Sequence, residues 1–357
     1  MPITDIETLS SRLIEALGAL EAAFRRANPV FLAQIREDLL GYEAPLRSGR
    51  ERLLNINGNL QEMPLCDALL KAADLACEAI GIFGSGEDLT HAFLNVLKAF
   101  RKFSRVQETL FPLRHNLVQV DRYFLEPALH ATAGSHDPDD NRDISTGLFH
   151  VGMENDVYAR GGYSLYVPEN YCPERPLPLV VALHGGYGHG RDFLWIWLRE
   201  ARSRGFALLS PTSVGTTWSI TSIDDDAIPL KRHMEEVYAR INIDRSRILV
   251  TGMSDGATFA LCLGLREDSW FTAIAPVSGV LSLTDLVYAN RKRICWVHGA
   301  LDWMFPVSRS VLACQALKDA GADVKLKVIQ DLSHAYPREE NDGILTWFDP
   351  TLSLPAP

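Results

Sequence analysis

From about residue 148 onward, short runs of β-branched and aromatic residues alternate with amphipathic stretches of helical length. This alternation limits the folds open to the chain more than any other feature. Residues 163–167, 179–183, 206–209, 248–251, 273–277, 294–297 and 324–329 read as strands. Residues 192–203, 228–241, 257–265 and 307–320, with a last stretch near 338–347, read as helices. Strands that are apolar along their whole length cannot leave one face in water. The predicted class is therefore α/β, a mostly parallel sheet flanked by helices. Such sheets bind ligands beyond the carboxyl ends of their strands.

The most informative strand end is Gly252-Met253-Ser254-Asp255-Gly256, which follows the strand RILVT and precedes the helix ATFALCLGL. A G-x-S-x-G at a strand-to-helix turn is a nucleophile elbow. The turn is tight, so its flanking glycines must be small, and it lifts the serine hydroxyl above the sheet. A serine hydroxyl attacks well only when a base takes its proton. Among ten histidines, His334 is favoured because it leaves the last predicted strand. The acid that orients the base is expected between serine and histidine in chain order. Asp302 sits there, in the loop after the 294–297 strand, with Asp285, Asp319 and Asp331 as rivals. Leu183-His184-Gly185-Gly186 closes another strand, and its glycines allow a backbone N–H to approach a substrate carbonyl. Gly185 and Gly186, with the N–H of Asp255, form the candidate oxyanion hole, each donor contributing about 3 kcal/mol to a transition state. His184 reads as structural.

With these residues in view, the chain from about 161 to 347 resembles the α/β-hydrolase superfamily, in its phospholipase/carboxylesterase and polyhydroxybutyrate-depolymerase-like branch. GGYSLYVPENY, LVVALHGG, GMSDGA, HGALDWMFP and the His334 segment carry the resemblance. It implies ester hydrolysis through an acyl-enzyme, with a small-molecule ester as substrate and no cofactor. A prolyl-oligopeptidase-like peptidase and a non-catalytic binding module on the same scaffold are the alternatives. One departure is Asp255, which stands where many relatives carry a small or apolar residue and makes the pocket acidic. Trp218, Met253 and Trp303 are candidate pocket residues, whereas Trp195 and Trp197 read equally well as core. The acidic run 224–226 reads as a helix start. A metal site at His184, His189 and His298 has no supporting ligand spacing.

The first part of the chain, 1–130, reads as a helical domain. Thr4-x-x-Glu7 matches a capping box, and Asn28-Pro29 reads as the cap of a second helix. Further apolar stripes run over 65–82 and 89–103. Residues 131–147 are small, polar and acidic, and read as a linker to the hydrolase part, 148–357. A net charge of −10 argues against nucleic acid or anionic membrane as partner. No apolar run approaches the roughly 18 residues of a membrane span. Six cysteines without C-x-x-C spacing, and a start with no signal-peptide pattern, make a reducing cytoplasm the expected compartment. Homodimerisation is left open.

Overall fold

The computed structural model describes residues 2–55, 64–134, 146–281 and 286–354. Most of the expected linker, 135–145, and the rival acid Asp285 lie outside these residues. The chain divides into two units, Met1–Asp140 and Asn141–Ala356.

The first unit is helical: α1 (Pro2–Arg26), α2 (Leu32–Leu40), α3 (Glu43–Leu54), α4 (Pro64–Ile82), α5 (Leu89–Leu110) and α6 (Val118–Tyr123). Leu9, Leu13, Leu17 and Leu20 of α1 are fully buried, as their helical spacing requires. Two expected starts move. Helix α1 begins at Pro2, whose fixed φ suits a first turn, so Thr4 lies inside the helix and its carbonyl accepts from the Thr8 hydroxyl. Asn28-Pro29 forms a turn instead of a cap. The Asn28 side chain accepts from the Val30 N–H, its carbonyl accepts from the Phe31 N–H, and α2 starts only at Leu32. Helix α3 has a weak apolar pattern and gives little signal. It lies close to α1 because Gly49 has no side chain; a Cβ there would stand 3.1 Å from Leu9 Cδ1.

The second unit is built on one sheet of β1 (Gly147–Val151), β2 (Tyr163–Val167), β3 (Leu177–Leu183), β4 (Ala207–Pro211), β5 (Ile243–Met253), β6 (Ala273–Val277), β7 (Arg293–Gly299) and β8 (Asp323–Ile329). Their order is β1-β2-β4-β3-β5-β6-β7-β8. The β1–β2 and β2–β4 pairs are antiparallel, and every later pair is parallel. This is the α/β-hydrolase arrangement, and the expected α/β class with a mostly parallel sheet and an N-terminal helical region holds. Strand β1 gave no strong sequence signal because it is short, half-buried and at the edge. The helices are α7 (Gly190–Phe193), α8 (Leu198–Arg204), α9 (Asp224–Arg240), α10 (Asp255–Gly264), α11 (Val307–Asp319) and α12 (Asn341–Phe348).

The helix expected over 192–203 is broken into α7, a 3₁₀ turn at Leu194–Ile196, and α8. Residues two apart do not share a face of a regular helix, yet Trp195 and Trp197 are both buried. Protein surrounds the segment on more than one side, and the tryptophans are core. The run at 224–226 does open a helix, α9, and none of the six cysteines forms a disulfide among the described residues. No helix among the described residues is long and apolar enough to cross a membrane.

Parallel pairing brings the carboxyl ends of β3, β5, β7 and β8 to one edge of the sheet. The turns that leave those ends carry Gly186, Ser254, Asp302 and His334 respectively.

Candidate active site

Strand β5 ends at Met253, α10 begins at Asp255, and Ser254 alone makes the reversal, with φ 56° and ψ −120°. A non-glycine residue in that region is strained and persists only where its surroundings hold it. Here the Ser254 N–H donates to the Val277 carbonyl, and its own carbonyl accepts from Thr258. The flanking glycines are required by contact. A Cβ on Gly256 would lie 2.4 Å from the Leu183 and His184 carbonyl oxygens, and one on Gly252 2.6 Å from the Gly256 backbone. Gly256→Ala is therefore expected to lower unfolding stability by about 3 kcal/mol, because rigid backbone must move. Gly343→Ala, whose Cβ meets nothing closer than 3.9 Å, is expected to be neutral or to gain about 0.5 kcal/mol. Urea midpoints of the two variants check both values.

Three side chains from three loops meet above the elbow. Ser254 Oγ lies 3.0 Å from His334 Nε2, and His334 Nδ1 lies 2.9 Å from Asp302 Oδ2. All three are buried, at 8%, 7% and 6% exposure. Asp302 is held on its other oxygen: Oδ1 accepts the N–H groups of Met304 (3.0 Å) and Phe305 (2.7 Å). The Phe305 ring stands edge-on to the His334 imidazole, centroids 5.2 Å apart. Gly299 lets the acid and base loops pack together, since a Cβ there would sit 2.3 Å from the Leu332 carbonyl oxygen. Burial alone would raise the Asp302 carboxyl. Hydrogen bonds from His298, His334 and the Phe305 N–H outweigh it and hold the group well below the usual carboxylate range. Asp302 thus stays ionised at neutral pH. Of the rivals to Asp302, Asp319 closes α11, and Asp331 lies three residues before the imidazole it would have to orient.

The oxyanion side is formed from β3 and α10. Asp255 is the first residue of α10, so its N–H has no intrahelical acceptor. Among the described residues, neither this N–H nor that of Gly186 donates to a protein acceptor. Gly185 lies against the nucleophile, a Cβ there being 3.6 Å from Ser254 Cβ. The Asp255 carboxylate turns back toward Gly186, where a Cβ would be 2.8 Å from Oδ2, and accepts the Thr217 hydroxyl at 2.5 Å.

The loops around this side are anchored by polar side chains. Arg160 donates to the Gly188 and Ser213 carbonyls. Asp226, in the first turn of α9, accepts the N–H groups of Val214 and Ser219, each at 2.7 Å. His184 is structural, as its sequence position suggests: Nδ1 donates to the Gly185 carbonyl and Nε2 accepts the Ser213 N–H. Burial pushes its pKa down to about 3.

Trp218 is corrected from pocket to support. It is 3% exposed, stacks on Phe259, and donates its indole N–H to the His184 carbonyl at 2.7 Å. A tryptophan this enclosed has no face left for substrate; it props the glycine loop from behind. Met253 is half-buried beside Ser254, and Trp303 is 46% exposed beside Asp302. His184, His189 and His298 are not drawn to one centre. His189 accepts the Arg191 N–H and faces the Ala159 carbonyl, and His298 lies near the end of β7 with its ring against the acid loop. Sequence reasoning weighed His298 only as a metal ligand and missed its contact with Asp302, at 3.3 Å from Nε2 to Oδ2. The available signal was its place at the same strand end, four residues before the acid.

Residues 225–349, which include Ser254, Asp302 and His334, match the phospholipase/carboxylesterase family. This is the branch the motifs resemble. The chain is 29% identical over 126 residues to feruloyl esterase C of Emericella nidulans, covering 33% of this chain and 46% of that protein. It is 28% identical over 160 residues to a probable feruloyl esterase C of Aspergillus terreus, covering 42% and 57%. The chain thus spans about half the length of these relatives. Among solved structures, an acetyl xylan esterase from Aspergillus awamori superposes with a TM-score of 0.47 at 17% identity, covering 57% of this chain and 98% of that one.

Proposed function

We propose that this α/β-hydrolase-fold chain is a serine carboxylic-ester hydrolase working through an acyl-enzyme on Ser254. The observation that carries the reading is the continuous line of short contacts from Ser254 Oγ through His334 to Asp302. In the proposed reaction Oγ attacks the ester carbonyl carbon while Nε2 of His334 takes the hydroxyl proton. The oxygen of the tetrahedral intermediate rests on the N–H groups of Gly186 and Asp255, with the α10 dipole behind them. His334 returns the proton to the departing alkoxide, leaving Ser254 acylated. Water then attacks the acyl carbon, His334 taking its proton and handing it back to Oγ as the acid leaves. Asp302 holds Nδ1–H throughout and so keeps Nε2 free to accept.

Met253, next to Ser254, and Trp303, next to Asp302, are the proposed substrate contacts. Feruloyl esters head the substrate panel, because the matched relatives carry the name feruloyl esterase. A fluorophosphonate probe tests the chemistry without any mutation. The expected result is one equivalent bound per chain, with peptide mapping placing the phosphorus on Ser254. Folded protein that takes up no probe, or carries it elsewhere, would remove the reading.

A further inference from the structure

We propose that His298 is a positioning residue for this reaction: its Nε2–H, seated between the Phe305 carbonyl and Asp302 Oδ2, holds the acid in place and shares the oxygen that orients His334. The proposal rests on the serine-hydrolase reading above. His298 is fully buried near the end of β7. Its Nε2 lies 2.8 Å from the Phe305 carbonyl oxygen and 3.3 Å from Asp302 Oδ2. Both neighbours are acceptors, so the ring proton sits on Nε2. Nδ1 has no hydrogen-bond partner among the described residues. All of the ring's directed bonding therefore points at the acid loop.

Two consequences follow from that placement. Asp302 Oδ2 serves two imidazoles, His298 at 3.3 Å and His334 at 2.9 Å, while Oδ1 serves two backbone N–H groups. Each donor draws on the same negative charge, so the share taken by His298 is withheld from His334. Removing the His298 donor leaves Oδ2 a stronger acceptor for His334 and stabilises the imidazolium formed during turnover. The second consequence is mechanical. The residue whose carbonyl His298 grips is the one whose ring stands against His334, so one imidazole steadies both the acid and the wall of the base. A purely structural histidine would do the second without the first. The groups facing His298 and its acid are Asp302 and Phe305 from the same loop and His334 from the loop after β8.

The test is the pH profile of kcat/KM on a p-nitrophenyl ester, normalised to active sites counted with a fluorophosphonate, so that misfolded protein lowers the titre and not the profile. For His298→Phe the acidic limb is expected to rise by about half a pH unit and kcat to fall about tenfold, with KM within about twofold. His298→Gln returns an N–H donor near the Nε2 position and is expected to restore the limb to within about 0.2 units. Should His298→Phe yield no folded protein, His298→Asn, whose amide is too short to reach Asp302, decides in its place. Limbs of the Phe or Asn variants that coincide with wild type overturn the proposal, as does a Gln limb displaced as far as that of Phe. Ser254-dependent turnover with an unmoved limb removes only the role of His298. Turnover that persists in Ser254→Ala removes the esterase reading and this inference with it.

Discussion

Ser254→Ala is expected to lower kcat on a short p-nitrophenyl ester by roughly 10⁵-fold to 10⁶-fold while leaving KM within a few-fold. The hydroxyl is the atom that bonds to the acyl carbon, and nothing else in the described site can replace it. Met253 carries no nucleophile, and the Asp255 carboxylate is turned toward Gly186 and Thr217. The fold should survive. Alanine has the same Cβ as serine, so the strain at φ 56° is unchanged, and the N–H to Val277 remains. The oxygen lost is a hydrogen-bond partner of His334. Activity left in the variant should reflect the oxyanion donors and substrate binding, which act without an attacking serine. Adding His334→Ala should cost almost nothing further, because the two residues act as one unit. Rates per mole of folded protein for the single and double variants decide the matter. A Ser254→Ala protein with more than a tenth of wild-type turnover, or a double variant far worse than the single, would count against the assignment.

What the sequence made legible follows the range of the interactions involved. The elbow is local: strand, G-x-S-x-G and helix are contiguous, and the steric reason for each glycine lies within a few residues or on the adjacent strand. The loops carrying Asp302 and His334 were legible one step further out, because a parallel sheet sends every loop after a strand to one edge whatever the details of packing. The rest depends on side-chain direction and register. Trp218 was correctly placed in the loop after β4, but nothing in the chain tells whether its indole turns to substrate or, as found, to Phe259 and the His184 carbonyl. The contact between His298 and Asp302 depends on how the loop from Gly299 to Pro306 folds back, a turn set by the two N–H groups that Asp302 itself accepts. In the helical unit, strongly patterned α1 and α5 announce themselves. Helix α3, with Leu46, Gly49 and Leu53 as its buried residues, does not. Edge strand β1 is faint for the same reason, since partial burial leaves no distinct apolar run.

Asp302→Asn is expected to cost roughly 10⁴-fold in kcat, with much less effect on stability, because the change acts through the tautomer of His334. The carboxylate accepts on every side: two backbone N–H groups at Oδ1, and the ring nitrogens of His334 and His298 at Oδ2. An asparagine must place its NH₂ at one of these positions. At Oδ1 it would face the Met304 and Phe305 N–H groups, which have no second state to offer. At Oδ2 it faces imidazoles, and that of His334 can move its proton. The amide therefore turns its oxygen to the backbone and its NH₂ to the rings. His334 answers by accepting at Nδ1 and carrying its proton on Nε2. In that form Nε2 points a hydrogen at Ser254 Oγ, 3.0 Å away, and cannot take the serine proton. The acid loop keeps its backbone bonds, so the unfolding midpoint should shift far less than the rate. The loss should also ease at high pH, where hydroxide can remove the serine proton without His334. A rate within tenfold of wild type at neutral pH would mean that another acid orients His334. Asp331 would then be the residue to replace next.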